Sequence, residues 1–241
     1  MFQSDYIGKS TRGLNLSDCT NPTNANALTF VTDPHSGATR KVARFEINTT
    51  DTLLSGKNRS EVKATSSNQL YDYSTDGWTY RWSIYLPTGY AVDTTQESLF
   101  QIHSSPGVGD YQFPSPPFAL ITNGTKFQVN GRYEPANPAT DNGILFTQQL
   151  SNWATDTWYN FTLYIQWSAT SGNFYLYQNG SLVYSRLSLP NTYDDVQGGY
   201  AKQGIYKWDW VDNPGVSQVT QRVMYCDNFS IHKGDTRYLG T

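Results

Sequence analysis

The stretch Trp158–Tyr184, WYNFTLYIQWSATSGNFYLYQNGSLVY, decides how this chain folds. Tyr159, Phe161, Leu163, Ile165 and Trp167 alternate with Asn160, Thr162, Tyr164 and Gln166. A period of two puts the first set on one face of a strand and the second set on the other. Ser171-Gly172 and Asn179-Gly180 then read as hairpin turns. Asn-Gly in particular supplies the positive φ angles that a tight hairpin turn needs. Strand, turn, strand, Asn-Gly, strand is an antiparallel meander.

The same pattern extends outward along the chain. Strands are expected at Arg40–Asn48, Arg59–Thr65, Trp78–Leu86, Leu99–Ser104, Phe118–Thr122 and Lys126–Asn130. After these come Trp158–Trp167, Asn173–Gln178, Leu182–Ser185, Ala201–Lys207 and Arg222–His232, all separated by Gly, Pro, Asn and Asp clusters. In Trp78–Leu86, Trp78, Tyr80, Trp82 and Ile84 alternate with Thr79, Arg81, Ser83 and Tyr85. Aromatic residues make up 15% of the chain, and glutamate occurs only at Glu46, Glu61, Glu97 and Glu134. That balance favours strands and turns over helices. No repeat or low-complexity linker interrupts it. The 241 residues suit one domain, 1–241, with a core that needs neither metal nor disulfide. The expected fold class is all-β: a jelly-roll sandwich of two antiparallel sheets, with a substrate groove on the concave sheet.

Charge narrows the function. Seventeen Lys and Arg against 20 Asp and Glu give a net charge of −3, without the basic stripe of a nucleic-acid binder. An anionic substrate would have to be held by a few placed cations. No apolar run is long enough to span a membrane, and Met1-Phe-Gln-Ser does not open a signal peptide. Seven N-x-S/T sequons, at Asn15, Asn48, Asn58, Asn123, Asn160, Asn179 and Asn228, point to a secreted, extracellular glycoprotein. Cys19 and Cys226 lie near the two ends. In a secreted chain they are expected to form one bridge closing a long loop, the alternative being two separate thiols.

Three segments carry polar groups at two-residue spacing, and therefore on one face of a strand. In Arg59-Ser-Glu-Val-Lys63, Arg59, Glu61 and Lys63 share a side. In SLFQIHS, Ser98–Ser104, Leu99, Gln101 and His103 share one side, and Phe100 and Ile102 the other. In Tyr200–Trp208, Tyr200, Lys202, Gly204, Tyr206 and Trp208 align, and Gly204 leaves backbone open to close approach. Each segment alone is a weak signal: an R-x-E strand is usually a surface ion pair, and a Tyr/Lys strand is often cross-strand packing.

Together, in this order, they resemble the jelly-roll polysaccharide lyases, which include alginate lyases, heparin-lyase-I-type enzymes and fungal glucuronan lyases. Alginate lyases carry an R-[S/T]-E strand, a Q-[I/V]-H strand and a late Y-x-K-x-G-[V/I]-Y strand. Here these are Arg59-Ser60-Glu61, Gln101-Ile102-His103 and Tyr200-Ala201-Lys202-Gln203-Gly204-Ile205-Tyr206. Two departures, Trp208 where alginate enzymes usually have an amide and Ala201 where they have an aromatic, make the chain look closest to the fungal glucuronan lyases.

The resemblance implies β-elimination on a β-1,4-linked uronic-acid polymer, glucuronan, by an endo-acting monomer needing no catalytic cofactor. Arg59 would supply a forked cation to the uronate carboxylate and Gln101 an amide donor. His103 would bind the carboxylate or act as base, and Tyr206 would be the acid. In glucuronate, H5 and O4 lie on one face of the ring. Tyr206 is then expected to serve as both base and acid, with a pKa depressed by Lys202 and Arg59. For guluronate or iduronate, with H5 and O4 on opposite faces, His103 would be the base and Tyr206 the acid. Lys202, Tyr200, Glu61 and Arg81 are the expected substrate-binding residues. Lyases of this type often hold a structural Ca2+, for which Asp227 and Asp235 are the available oxygen ligands. An alginate lyase of the same fold is one alternative. A non-catalytic, lectin-like module is another. A glycoside hydrolase would want two carboxylates facing across a cleft, and the sequence offers no such pair in the marked motifs.

Overall fold

The computed structural model describes residues 14–15, 20–36, 39–64, 72, 75–105, 114–136, 141–195 and 197–237. They form two seven-stranded sheets. The first runs, in spatial order, β1 (Leu14–Asn15), β4 (Asn58–Ala64), β13 (Gln197–Lys207), β6 (Glu97–Ser105), β7 (Phe118–Asn123), β8 (Lys126–Tyr133) and β9 (Ile144–Asn152). The second runs β12 (Ser181–Leu189), β11 (Gly172–Gln178), β10 (Thr157–Gln166), β5 (Trp78–Leu86), β14 (Gln221–Lys233), β3 (Lys41–Asn48) and β2 (Leu28–Thr32). Every pairing within the sheets is antiparallel. One short helix, α1 (Asp209–Asp212), follows β13. No helix among the described residues is long and apolar enough to cross a membrane.

The alternation read from Trp158–Tyr184 places Phe161, Leu163 and Ile165 in the core. Asn179 (φ 50°) and Gly180 (φ 79°) make the tight turn between β11 and β12, as Asn-Gly demands. Ser171-Gly172 is not a two-residue turn: residues 167–171 form the loop, and Gly172 already belongs to β11. The two sheets meet through stacked rings. Trp82 of β5 lies 3.9 Å from Phe100 of β6 at an interplanar angle of 7°, and 5.3 Å from Phe161 of β10. All three are buried; each contributes about 2–3 kcal/mol by leaving water.

Three strands, β1, β2 and β9, fall outside the set expected from sequence. β9 is an edge strand with most side chains exposed, so it lacks a one-sided apolar pattern. β1, of two residues, is the other edge of that sheet, and β2 is a five-residue strand at an edge of the second sheet.

Candidate active site

Strands β4, β13 and β6 are neighbours, so the three motifs lie side by side. On β4, Arg59 is opposite Tyr206 and Glu61 opposite Gly204. On β6, His103 is opposite Tyr200 and Gln101 opposite Lys202. Ala201, Gln203 and Ile205 are buried beneath the sheet. The alternate residues Tyr200 and Tyr206 face outward, and with Arg59, Gln101 and His103 they line an open groove of about 900 Å3. Leu99 does not share that face. The register of β6 shifts between Ser98 and Phe100, so Leu99 joins the core and Ser98 lines the groove instead.

Glu61 lies under the floor of the groove and is 1% exposed. Its Oε1 accepts a 2.5 Å hydrogen bond from Nε2 of Gln101. Its Oε2 is 3.6 Å from Nη1 of Arg59 and 3.6 Å from Nζ of Lys202. One buried carboxylate therefore aims the amide and offsets two cations. Glu61 and Lys202 are both buried and do not line the groove, so they hold the binding residues in place where substrate contact was expected.

The guanidinium of Arg59 lies 4.3 Å from the centre of the Tyr206 ring, and that ring packs 5.4 Å from Trp208. Tyr200 stacks on His103 at 5.7 Å and 9°, and Nζ of Lys63 sits 4.1 Å over the Tyr200 ring. Burial, reinforced by Lys202, Arg59 and Lys63, pushes His103 down to about 4, against the pull of a hydrogen bond with the Ser104 backbone. The imidazole is neutral at pH 7. Burial pushes Tyr206 up; Arg59 and Lys202 pull it down, while Glu61 and Asp212 add to the rise. The depressed Tyr206 expected from its two cations is not found, because desolvation outweighs them. The free protein presents a phenol.

Gly204 has φ +141°, and a Cβ there would lie 2.1 Å from the Ser60 carbonyl oxygen. The glycine serves close approach of β13 to β4, where approach to a ligand was expected.

Several lining residues lie outside the marked motifs, among them Lys57, Asn130 and Arg132. Asn130 and Arg132 share a face of β8 by their spacing. Nothing in the sequence alone tells that β8 belongs to the sheet of the motif strands, two places from β6. Nη1 of Arg132 donates to the carbonyls of Asn142 (3.2 Å) and Gly143 (3.0 Å). Lys57 pairs with Asp212 of α1.

Other expected residues lie elsewhere. Arg81 is on β5 of the second sheet and donates to Thr236, so it takes no part in the groove. Asp227 and Asp235 do not fit a calcium ion. Asp227 is buried 2.8 Å from Nη1 of Arg40, and Asp235 pairs with Nη2 of Arg237 at 2.6 Å. Among the described residues no group of three His, Cys, Asp or Glu side chains could hold a metal. The bridge expected at Cys226 is not made there: Cys226 is a free thiol in the core, between Ala43 and Ile84 of the neighbouring strands. Its expected partner Cys19 lies outside the described residues.

Solved structures share this sandwich. An endo-β-1,4-glucuronan lyase from the fungus Trichoderma reesei superposes with a TM-score of 0.73 at 18% identity, covering 87% of each chain. An alginate lyase of polysaccharide lyase family 7 gives 0.63 at 13% identity, covering 96% of this chain and 98% of its own. An alginate lyase from Pseudomonas aeruginosa gives 0.56 at 18% identity, covering 85% of each chain. At these identities the likeness is one of fold. No curated protein sequence matches the chain. The family model described as "Polysaccharide lyase" matches residues 7–230. That span takes in all three motif strands and the groove they line, and the chain belongs to the polysaccharide lyase family.

Proposed function

We propose that this protein is an endo-acting lyase that cleaves glucuronan by β-elimination. The observation that carries the reading is the convergence of Arg59, Gln101, His103 and Tyr206 in one open groove. Elimination needs the uronate carboxylate neutralised, the C5 proton removed and O4 protonated as it leaves. Arg59 brings a permanent charge and Gln101 an aimed amide to the carboxylate. Neutral His103 has a lone pair with which to take the C5 proton. The electrons of the C5–H bond form the C4=C5 double bond, the C4–O4 bond breaks, and Tyr206 gives its phenolic proton to O4. In glucuronate H5 and O4 lie on one face of the ring. For such a sugar Tyr206 was expected to serve as both base and acid; because Tyr206 is a phenol in the free protein, the base role passes to His103, which lines the same groove on the neighbouring strand. An open groove admits the middle of a polymer and so favours internal cleavage.

The reading is tested by mixing the protein with glucuronan, alginate and heparin and following ultraviolet absorbance and viscosity. Glucuronan is expected to give a rising absorbance from the conjugated double bond, with an early fall in viscosity. A rise on alginate alone would move the substrate to that polymer. New reducing ends without absorbance would make the protein a hydrolase, and binding without either signal would make it a carbohydrate-binding module.

A further inference from the structure

Beneath the sheet, at the Tyr206 end of the groove, lies a set of buried charges that the elimination does not use. Lys207 follows Tyr206 and points inward, fully buried. Its Nζ is 2.5 Å from Oε2 of Glu97 and 2.8 Å from Oδ2 of Asp93. Arg222, on β14 of the other sheet, places Nε 2.9 Å from Oε1 of Glu97. Tyr90 and Thr122 donate to that same oxygen. Two carboxylates and two cations thus balance inside the sandwich, and they tie β6, β13 and β14 together.

Stability alone is a weak reason for such a cluster. Apolar side chains of similar volume often serve a core as well or better, and the best-attested use of buried polar groups is to fix register. Register is what this place needs. Gln203 pairs with Phe100 and Tyr206 with Ser98, so two residues of β13 lie opposite the single Leu99 of β6. The pairing slips here, and a one-residue slip would exchange the faces of Tyr206 and Lys207. Glu97 precedes Ser98, and Lys207 follows Tyr206. The ion pair therefore sits directly beneath the register pair whose side chains line the groove.

We propose that the Lys207–Glu97 pair is a register lock whose work is to position Tyr206 in the groove. Lys207 and Glu97 are positioning residues: neither lines the groove, and both act through the strand that carries the phenol. The inference rests on Tyr206 acting in the proposed elimination. The test therefore includes a readout independent of turnover.

The double variant Glu97→Gln/Lys207→Met removes both charges and leaves no unpaired partner between them. Its fold is checked by circular dichroism. Its kcat and KM on glucuronan, and the Tyr206 ring signal in 13C-tyrosine-labelled protein (assigned with Tyr206→Phe), are compared with those of the wild type. The expected result is a folded protein whose kcat falls at least about ten-fold while KM stays within about three-fold. The Tyr206 signal is expected to move or split. A folded variant with wild-type kcat and an unchanged Tyr206 signal would overturn the lock. If the double variant does not fold, Glu97→Gln alone decides by the same measurements, with a several-fold loss of kcat and a shifted signal expected. A wild type without lyase activity would refute the proposed reaction, and the Tyr206 signal would still report on the lock.

Discussion

Gln101 donates its amide hydrogen bond to Glu61 across an intervening strand: β6 and β4 flank β13, and the contact spans 2.5 Å. The same carboxylate faces Arg59 and Lys202. Glu61→Gln keeps the shape and removes the charge. A hydrogen bond to a charged group is worth about 1.5–3 kcal/mol, or roughly 10–100-fold in rate if its effect falls on the transition state. We expect kcat/KM on glucuronan to fall by about that factor. Glu61 also helps to hold the Tyr206 pKa up, so its loss shifts the alkaline limb of the pH–rate profile to lower pH. Rates across pH check both effects. An unmoved limb would remove Glu61 from the electrostatics of Tyr206.

Tyr206→Phe deletes one oxygen and leaves the ring that Arg59 covers. If the phenol protonates O4, kcat falls by about 10²–10⁴ while KM changes little. The wild-type pH profile separates two versions of the chemistry. With Tyr206 as a protonated acid, activity declines as the phenol ionises. With tyrosinate as the base, activity would climb through that same range.

His103 links the site to stability. Its folded-state pKa is about 4, against an unperturbed value near 6.5. Between these values the unfolded chain binds the proton and the folded one does not. Stability therefore rises with pH across this window; the contribution is complete above about 6.5 and is lost as pH falls toward 4. His103→Ala removes the linkage. Urea unfolding at pH 7 and at pH 4.5 is expected to show a larger loss for wild type than for the variant. Equal losses would mean that the imidazole is not held neutral.

Period-two alternation makes the sandwich legible, because burial on one face leaves its mark on alternate residues of β10 from Tyr159 to Leu163. In Trp78–Leu86 the apolar and polar residues alternate in the same way, yet both faces are buried and only Arg81 is not. Leu99 and Arg81 show where such reading stops. A register shift turns Leu99 into the core, and no local signal announces it. Arg81 sits on a polar strand face as good as any other, and only the strand order reveals that this face belongs to the other sheet. The Asn58 sequon illustrates the same limit, since its amide is buried and donates to the Asn48 carbonyl at 3.1 Å. Arg59, Gln101, His103 and Tyr206 are visible in the sequence because their spacing is local. The Glu97–Lys207 pair is not, because its partners come together only when β6 and β13 align.

Gly204 offers a test of how tightly β13 must approach β4. A methyl group there meets the Ser60 carbonyl oxygen at 2.1 Å and the Glu61 Cα at 2.7 Å, both backbone atoms that cannot rotate away. The φ of +141° adds strain for any residue with a Cβ. We expect Gly204→Ala to cost about 3 kcal/mol in urea unfolding, from strain and overpacking together. Gly56→Ala is the control. Its φ of +74° is also unfavourable, but nothing lies within 4 Å of the added Cβ, so about 1 kcal/mol is expected. The fraction of Gly204→Ala that still folds must push β13 from β4, and Tyr206 moves away from Arg59 with it. Its kcat is therefore expected to fall, whereas that of Gly56→Ala does not. Equal costs for the two variants would mean that the β4–β13 contact yields easily, and that Tyr206 is held in place by other means.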